Sequence, residues 1–301
     1  MDINTTPLRG GLLINKPVGI TSHDVIYQLR KMPQLQGIKI GHSGTLDPFA
    51  TGVLLVLIDG AARLQDELHL LPKTYKAEIM LGANTDTDDA TGEFLPQVKE
   101  HKGVSAPSQE QILAALDHIK QQTTQIPPIY SAIQVGGKRM YKLAREGRTV
   151  EQKPRNITIH DITLENYSYP TLTITATCST GTYIRAIARD IGTMLSTGGY
   201  CSQLERTAIG NFKIKNAITI QDIPENISSV LIPLEQLTEH LHSSSFSDSN
   251  VAKLKNGREV EIPENSPQDI PIRLLTSNKK VFGIGIRQSS ALFITPKKIF
   301  L

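Results

Sequence analysis

With 301 residues, 39 % of them hydrophobic, and 22 glycines, the chain has enough apolar material for a sizeable core and is too long for one ordinary small domain. No apolar run reaches the ~18 residues of a membrane span, MDINTTPLRG has no apolar run with a small-residue cleavage site, so export is not expected, and 5 % aromatics without Trp exclude a stacking-rich single-strand binder. The formal net charge of +3 hides two basic stretches, residues 136–155 and 251–301, each with five surplus positive charges. Such a pattern fits a polyanion gripped at two places, or simply a solvated helix face.

Gly11–Ile14 is a short apolar run ending in Asn15-Lys16-Pro17, which predicts a strand entering a turn. Thr21 and Ser22 can cap a helix from about His23 to Lys31. Gly41–Gly52 is turn-rich and leads into a buried strand over Val53–Leu57. A helix is expected over Ala61–Leu71 and a strand over Tyr75–Leu81. Ser108-x-x-Gln111 is a capping box opening a helix with Ile112, Leu116 and Ile119 on one face. Tyr130–Val135 reads as a strand ending at Gly136-Gly137.

The clearest strand is Thr171–Cys178, where Leu172, Ile174, Ala176 and Cys178 alternate with threonines. Cys178 is thus expected to pack rather than to react. Cys178 and Cys201 form no disulfide framework, which points to a reducing cytosol. Thr180-Gly181-Thr182 precedes a helix with Ile184, Ala188, Ile191 and Leu195 on one face. Strands and helices mix without a βαβ rhythm, so the first domain is expected to be α+β. Residues 240–250, HLHSSSFSDSN, have the composition of a linker or exposed loop. Beyond them Asn256-Gly257 predicts a hairpin turn, and Val281–Ile286 and Ala291–Thr295 predict strands of a small all-β module.

Several chemistries drop out. The sequence has no GxxxxGK[ST] loop, no GxGxxG after a strand and no HExxH; the close pair His240 and His242 lies in the Ser-rich run. Asp86, Asp88 and Asp89 invite a calcium loop, but Ala90 and Thr91 break the EF-hand pattern. Neither a metal nor a cofactor is expected.

What remains is GHSGTLDPFATG, residues 41–52, in which three glycines and a proline demand a tightly specified backbone. Pro48 pushes Asp47 toward extended geometry, so its carboxylate is presented from a stiff loop just before a buried strand. Turn chemistry alone leaves a structural Asp-Pro turn open beside a catalytic one. The string closely resembles the signature of the TruB family of tRNA pseudouridine synthases, whose Asp is the catalytic nucleophile. The resemblance continues through LLINKPVGITS (12–22), KTYKAEIMLGANTDTDDATG (73–92), QIPPIYSAIQVGGKRMYKLAREG (125–147) and CSTGTYIRAIARDIG (178–192). It covers about the first 210 residues. The last fifty resemble the small carboxy-terminal β module of bacterial members through LKNGR (254–258) and the strands after it.

The resemblance implies an α+β catalytic domain over 1–240, with a mixed, largely antiparallel sheet flanked by helices. An RNA-gripping insertion is implied at about 124–155, and a small PUA-like β module over 241–301. Asp47 would be the nucleophile; a free aspartate, with a pKa near ~3.9, is charged at neutral pH. Attack on the sugar, addition to the base and removal of a sugar proton all stay open for it. Arg185 matches the Arg that pairs with this Asp, and Tyr183 an active-site Tyr suited to proton transfer. Tyr75 matches the Tyr stacked on the flipped uracil, Leu204 an apolar residue lining the base pocket, and His42 a His associated with base extrusion. Lys16, in the Lys-Pro motif, is supportive. Lys138, Arg139, Lys142 and Arg145 are expected on the RNA backbone. Ser43 and Phe49 stand where the signature often has Thr and Leu. Glu205 replaces a base of many members, which counts against RNA contacts from Arg206 onward.

The expected activity is therefore cofactor-free isomerisation of uridine 55 in the tRNA T loop, in the cytoplasm, with no membrane or obligate protein partner. A guide-RNA-dependent synthase shares many of these motifs. A non-catalytic tRNA-binding or folding factor would need no nucleophile, and a glycosidase would want a second carboxylate.

Overall fold

The computed structural model describes residues 8–96, 106–131, 134–135, 138–140, 152–289 and 291–300, with backbone alone at 134–135 and 138–139. Strand β1 (Gly10–Lys16) pairs antiparallel with β3 (Thr51–Ile58), the run TGVLLVLI. From Val53 on that run is apolar and buried because both faces of β3 are covered. Val53, Leu55 and Leu57 enter one core with Leu13, and Leu54, Val56 and Ile58 enter another with Leu12 and Ile14. The period-two alternation of a strand thus divides one hydrophobic run between two layers.

Six further strands complete an eight-stranded sheet: β2 (Ile40–His42), β4 (Lys73–Leu81), β5 (Ile159–Ser168), β6 (Thr171–Cys178), β7 (Gly199–Ile209) and β8 (Phe212–Lys213). The order is β1-β3-β7-β4-β6-β5, with β2 on β3 and β8 on β7. All pairings are antiparallel except β3 with β7, where Thr51 and Gly52 face Glu205 and Arg206. This is the mixed, largely antiparallel sheet expected. Helix α1 (Ser22–Arg30) is closed by a Thr21–Asp24 capping box and packs Val25, Ile26 and Leu29 inward.

Helix α2 (Gln65–His69) is short, because the single helix expected over Ala61–Leu71 divides in two. A 3₁₀ segment, Asp59–Leu64, precedes it, and Ala61 and Leu64, three apart, are both buried by the tighter turn. Helices α3 (Gln109–Gln121) and α4 (Ile184–Met194) cover the β4–β6 half of the sheet, with Ile112, Leu116, Ile119, Ile184, Ile187 and Ile191 in one core. Of the strand expected over Tyr130–Val135, Gln134–Val135 is extended and pairs with Lys138–Arg139; residues 132–133 lie outside the described residues.

The carboxy-terminal sheet has the order β9-β11-β12-β13-β10, from β9 (His242–Ser245), β10 (Val260–Glu261), β11 (Pro271–Leu275), β12 (Val281–Arg287) and β13 (Phe293–Ile299). It is the β module expected; after the short helix α5 (Leu234–Leu237) it also holds helix α6 (Asp248–Lys255). Two local expectations are corrected. The Ser-rich run is no free linker, since His242–Ser245 pairs in parallel with β11 as an edge strand, where small polar side chains suit a solvated border. Asn256-Gly257 closes α6 instead of a hairpin: Gly257, at φ +77, donates to Leu254 O at 3.0 Å and Arg258 N to Lys253 O at 3.0 Å. The left-handed geometry Gly supplies serves a helix end as well as a tight turn. Leu275, Val281, Ile284 and Phe300 of this segment share a core with Leu13, Leu55 and Leu237.

Candidate active site

Residues 43–50 link β2 to β3 and carry Asp47. Three neighbouring elements fix their backbone. From the start of α1, the Ser22 hydroxyl accepts from Leu46 N at 2.8 Å and donates to Leu46 O at 3.2 Å. In the turn after β1, Gly19 N and Lys16 Nζ donate to Pro48 O at 2.8 and 3.4 Å. On β7, Arg206 spreads its guanidinium over three carbonyls: Val53 O from Nε at 2.8 Å, Thr45 O from Nη1 at 3.2 Å and Gly44 O from Nη2 at 3.1 Å. Gly52 lets β3 approach β7 this closely. It sits at φ +105, and a Cβ there would lie 2.3 Å from the Arg206 carbonyl oxygen.

On this fixed loop the Asp47 side chain keeps 35 % of its surface exposed, and its Oδ2 lies 3.0 Å from Nε of Arg185. The contact is electrostatic, for that Nε makes no aligned hydrogen bond among the described residues. Arg185, in the first turn of α4 and 4 % exposed, is itself pinned by Nη1 to Thr87 O (2.9 Å) and Asp89 Oδ2 (3.1 Å) and by Nη2 to Tyr130 O (3.0 Å). A buried arginine with its other donors engaged presents a fixed positive charge to Asp47.

The other residues singled out in the sequence divide by environment. Lys16 is fully buried and donates to Pro17 O and Ile20 O at 2.8 Å each. Burial pulls its pKa down to about 8, against the opposing pull of the Asp47 carboxylate. Half-buried His42 accepts from Gly44 N at 3.3 Å through Nδ1. Burial first, then the charges of Arg206, His23 and His69, hold its pKa below the ordinary histidine value, so the ring is neutral at neutral pH. Tyr75, half-buried opposite Arg206 across the β4–β7 ladder, packs against the core that holds Leu46, Ala50 and Leu204. Burial pushes its phenol up. Leu204 is 7 % exposed in that same core. Tyr183 precedes α4; burial raises its phenol, a hydrogen bond with Ser131 works the other way, and the Asp47 charge raises it further. Lys138 and Arg139 form a two-residue strand, whereas Lys142 and Arg145 lie outside the described residues.

Sequence reasoning missed several members of this assembly. Asp89, 4 % exposed, accepts from Thr87 and Thr91 as well as from Arg185. Its neighbour Asp88 binds Arg189 at 2.9 Å, and burial pushes its carboxyl up to about 6 in spite of Arg189. The acidic trio weighed as a calcium loop therefore contains two arginine partners. Arg206, from which onward the sequence counted against RNA contacts, is 1 % exposed and braces the loop. Lys73, 3 % exposed near Gly44, is pulled down to about 8 by burial and then by Arg206. Cys178 is fully buried and its thiol is pushed up to about 11 by burial, the state of a packing residue. Among the described residues no group of three His, Cys, Asp or Glu side chains is arranged to hold a metal ion. No helix among them is long and apolar enough to cross a membrane.

The architecture is that of the pseudouridine-synthase fold. It superposes on a chain of a Cbf5-Nop10-Gar1 complex with a TM-score of 0.76 at 23 % identity, over 97 % of this chain and 85 % of that one. The model of the TruB family pseudouridylate synthase N-terminal domain matches residues 30–184. A tRNA pseudouridine synthase B of Dehalococcoides mccartyi is 40 % identical over 258 residues, 84 % of each chain. One of Bacillus licheniformis is 40 % identical over 265 residues, again 84 % of each. The chain belongs to the TruB family of pseudouridylate synthases, which are isomerases.

Proposed function

We propose that this chain isomerises uridine 55 in the tRNA T loop to pseudouridine, with Asp47 as nucleophile. The observation that carries the assignment is a carboxylate about one third exposed on a braced loop, 3.0 Å from the buried Arg185. The names of the relatives, tRNA pseudouridine synthase B, support tRNA as the substrate. The reaction breaks the bond from N1 to the sugar and forms one from C5. A proton leaves C5 and N1 gains one, so neither a group donor nor a redox partner is consumed.

Carboxylates serve as nucleophiles at glycosidic carbon, and Arg185 orients Asp47 across the 3.0 Å ion contact. Tyr183 moves the C5 proton. Tyr75 stacks on the uracil, Leu204 supplies an apolar wall, and neutral His42 fills the place the base leaves; extrusion costs a few kcal/mol. Lys16 supports the loop. Lys138, Arg139, Lys142 and Arg145 grip phosphates, so binding weakens with salt. Residues 1–240 are the catalytic domain and 241–301 an RNA-binding module, in a cytoplasmic enzyme.

The test is incubation of pure protein with an unmodified tRNA transcript and no additive, followed by mapping of pseudouridine. Product at position 55 alone is expected, and an isolated T-arm hairpin should react without guide RNA. Asp47→Asn should bind the transcript and yield no product. Full turnover by that variant overturns the nucleophile assignment.

A further inference from the structure

The segment 125–131 is stitched to the start of α4. Gln125, 4 % exposed, uses its side-chain amide on both main-chain groups of Tyr183. Its Oε1 accepts from Tyr183 N at 2.9 Å, and its Nε2 donates to Tyr183 O at 3.1 Å. Tyr183 is the residue that opens α4, and its own side chain makes no cap. Amide groups at a helix start lack intrahelical acceptors, and Gln125 supplies one from 58 residues away. The Tyr183 carbonyl meanwhile accepts from Ile187 N at 3.2 Å, the first bond of the helix.

The same segment engages the helix further along. Tyr130 O accepts from Arg185 at 3.0 Å and Ile126 O from Arg189 at 2.9 Å. Ser131, 4 % exposed, neighbours the Tyr183 phenol and pulls its pKa down against the effect of burial. Tyr183 is thus held at its backbone by Gln125 and has Ser131 beside its phenol, both from one stretch that leads toward the basic residues 136–155.

We infer that Gln125 is a positioning residue for Tyr183: by clamping the main chain at the opening of α4 it sets where the phenol stands relative to Asp47. The inference rests on the proposed synthase reading. It also makes proton transfer depend on segment 125–131 being seated against the helix. Misplacing a reacting group by ~1 Å can slow a reaction by about 100-fold, so a backbone clamp of this kind matters to rate rather than to RNA affinity.

The test is single-turnover release of tritium from C5-labelled uridine in tRNA, with affinity measured separately by filter binding. Gln125→Ala should slow release by ~10-fold or more while the Kd for tRNA stays within about 2-fold. Gln125→Glu, which keeps an acceptor for Tyr183 N, should fall between the two and provides the readout if the alanine variant does not fold. On a Tyr183→Phe background either substitution should cost less than about 2-fold, because the phenol through which it acts is gone. Equal slowing on both backgrounds, or a weakened Kd with an unchanged rate, overturns the role given to Gln125. A wild-type chain that releases no tritium sinks the synthase reading itself, a result distinct from an unslowed Gln125→Ala.

Discussion

Asp89 lies 3.1 Å from Nη1 of Arg185 with both residues 4 % exposed, so the guanidinium that reaches Asp47 is anchored by a second carboxylate. Asp89→Asn preserves the shape of that anchor but removes its charge. A loosened Arg185 should lower the single-turnover rate by ~10- to 100-fold with tRNA affinity retained. Asp89→Ala, which takes from a buried cation the more deeply buried of its two carboxylates, should cost about 3–5 kcal/mol in urea unfolding. An Asp89→Asn enzyme as fast as wild type would show that Asp47 needs no such support.

The approach of β3 to β7 at Gly52 gives a second expectation. Gly52→Ala meets the Arg206 carbonyl oxygen at 2.3 Å and forces a side chain into φ +105. Backbone strain alone is worth ~1–3 kcal/mol. Because Arg206 braces Gly44 and Thr45, the displaced strand should also shift the Asp47 loop. The urea midpoint and the rate should fall together; a loss of stability with an unchanged rate would separate the brace from the site.

Lys16 and Lys73 set a pH dependence. Both are drawn down from 10.5 to about 8 by burial. Above pH 8 the unfolded chain therefore holds more protons at these sites than the folded one, and their contribution to stability rises with pH up to about 10.5. Buried Cys178 and Cys201, whose thiols are pushed up from 9.0, act in the opposite sense from pH 9. Unfolding free energy should accordingly increase between pH 8 and 9, and Lys73→Met should flatten the increase. A decrease across that interval would contradict the burial of both ammonium groups.

The shared core of the two sheets makes a fourth expectation. Ile284, 1 % exposed, lies on β12 yet packs in the cluster that contains Leu13 and Leu55. Lys298 on β13 reaches Glu67 at 2.9 Å and Asp66 at 3.1 Å. Ile284→Ala should cost about 2–5 kcal/mol, and fluorescence and circular dichroism should report one unfolding transition. Two separated transitions would mean that the carboxy-terminal sheet folds apart from the rest.

Signals that act over a few residues were legible without coordinates. The alternation of Thr171–Cys178, the Ser108–Gln111 capping box and the turn chemistry around Asp47 each encode geometry in neighbouring positions. A dipeptide such as Asn256-Gly257 encodes only a backbone conformation, and the packing of α6 decided that it ends a helix. The supports of the site were beyond such reading. Asp89 and Arg185 are 96 residues apart, Gln125 and Tyr183 are 58, and Gly44 and Arg206 are 162. A lone Arg, Asp or Gln in a polar stretch reads as solvated surface. Only the folded sheet surrounds it with carbonyls and counter-charges that make burial favourable, because desolvating a charge is tolerable solely where its partners are already in place.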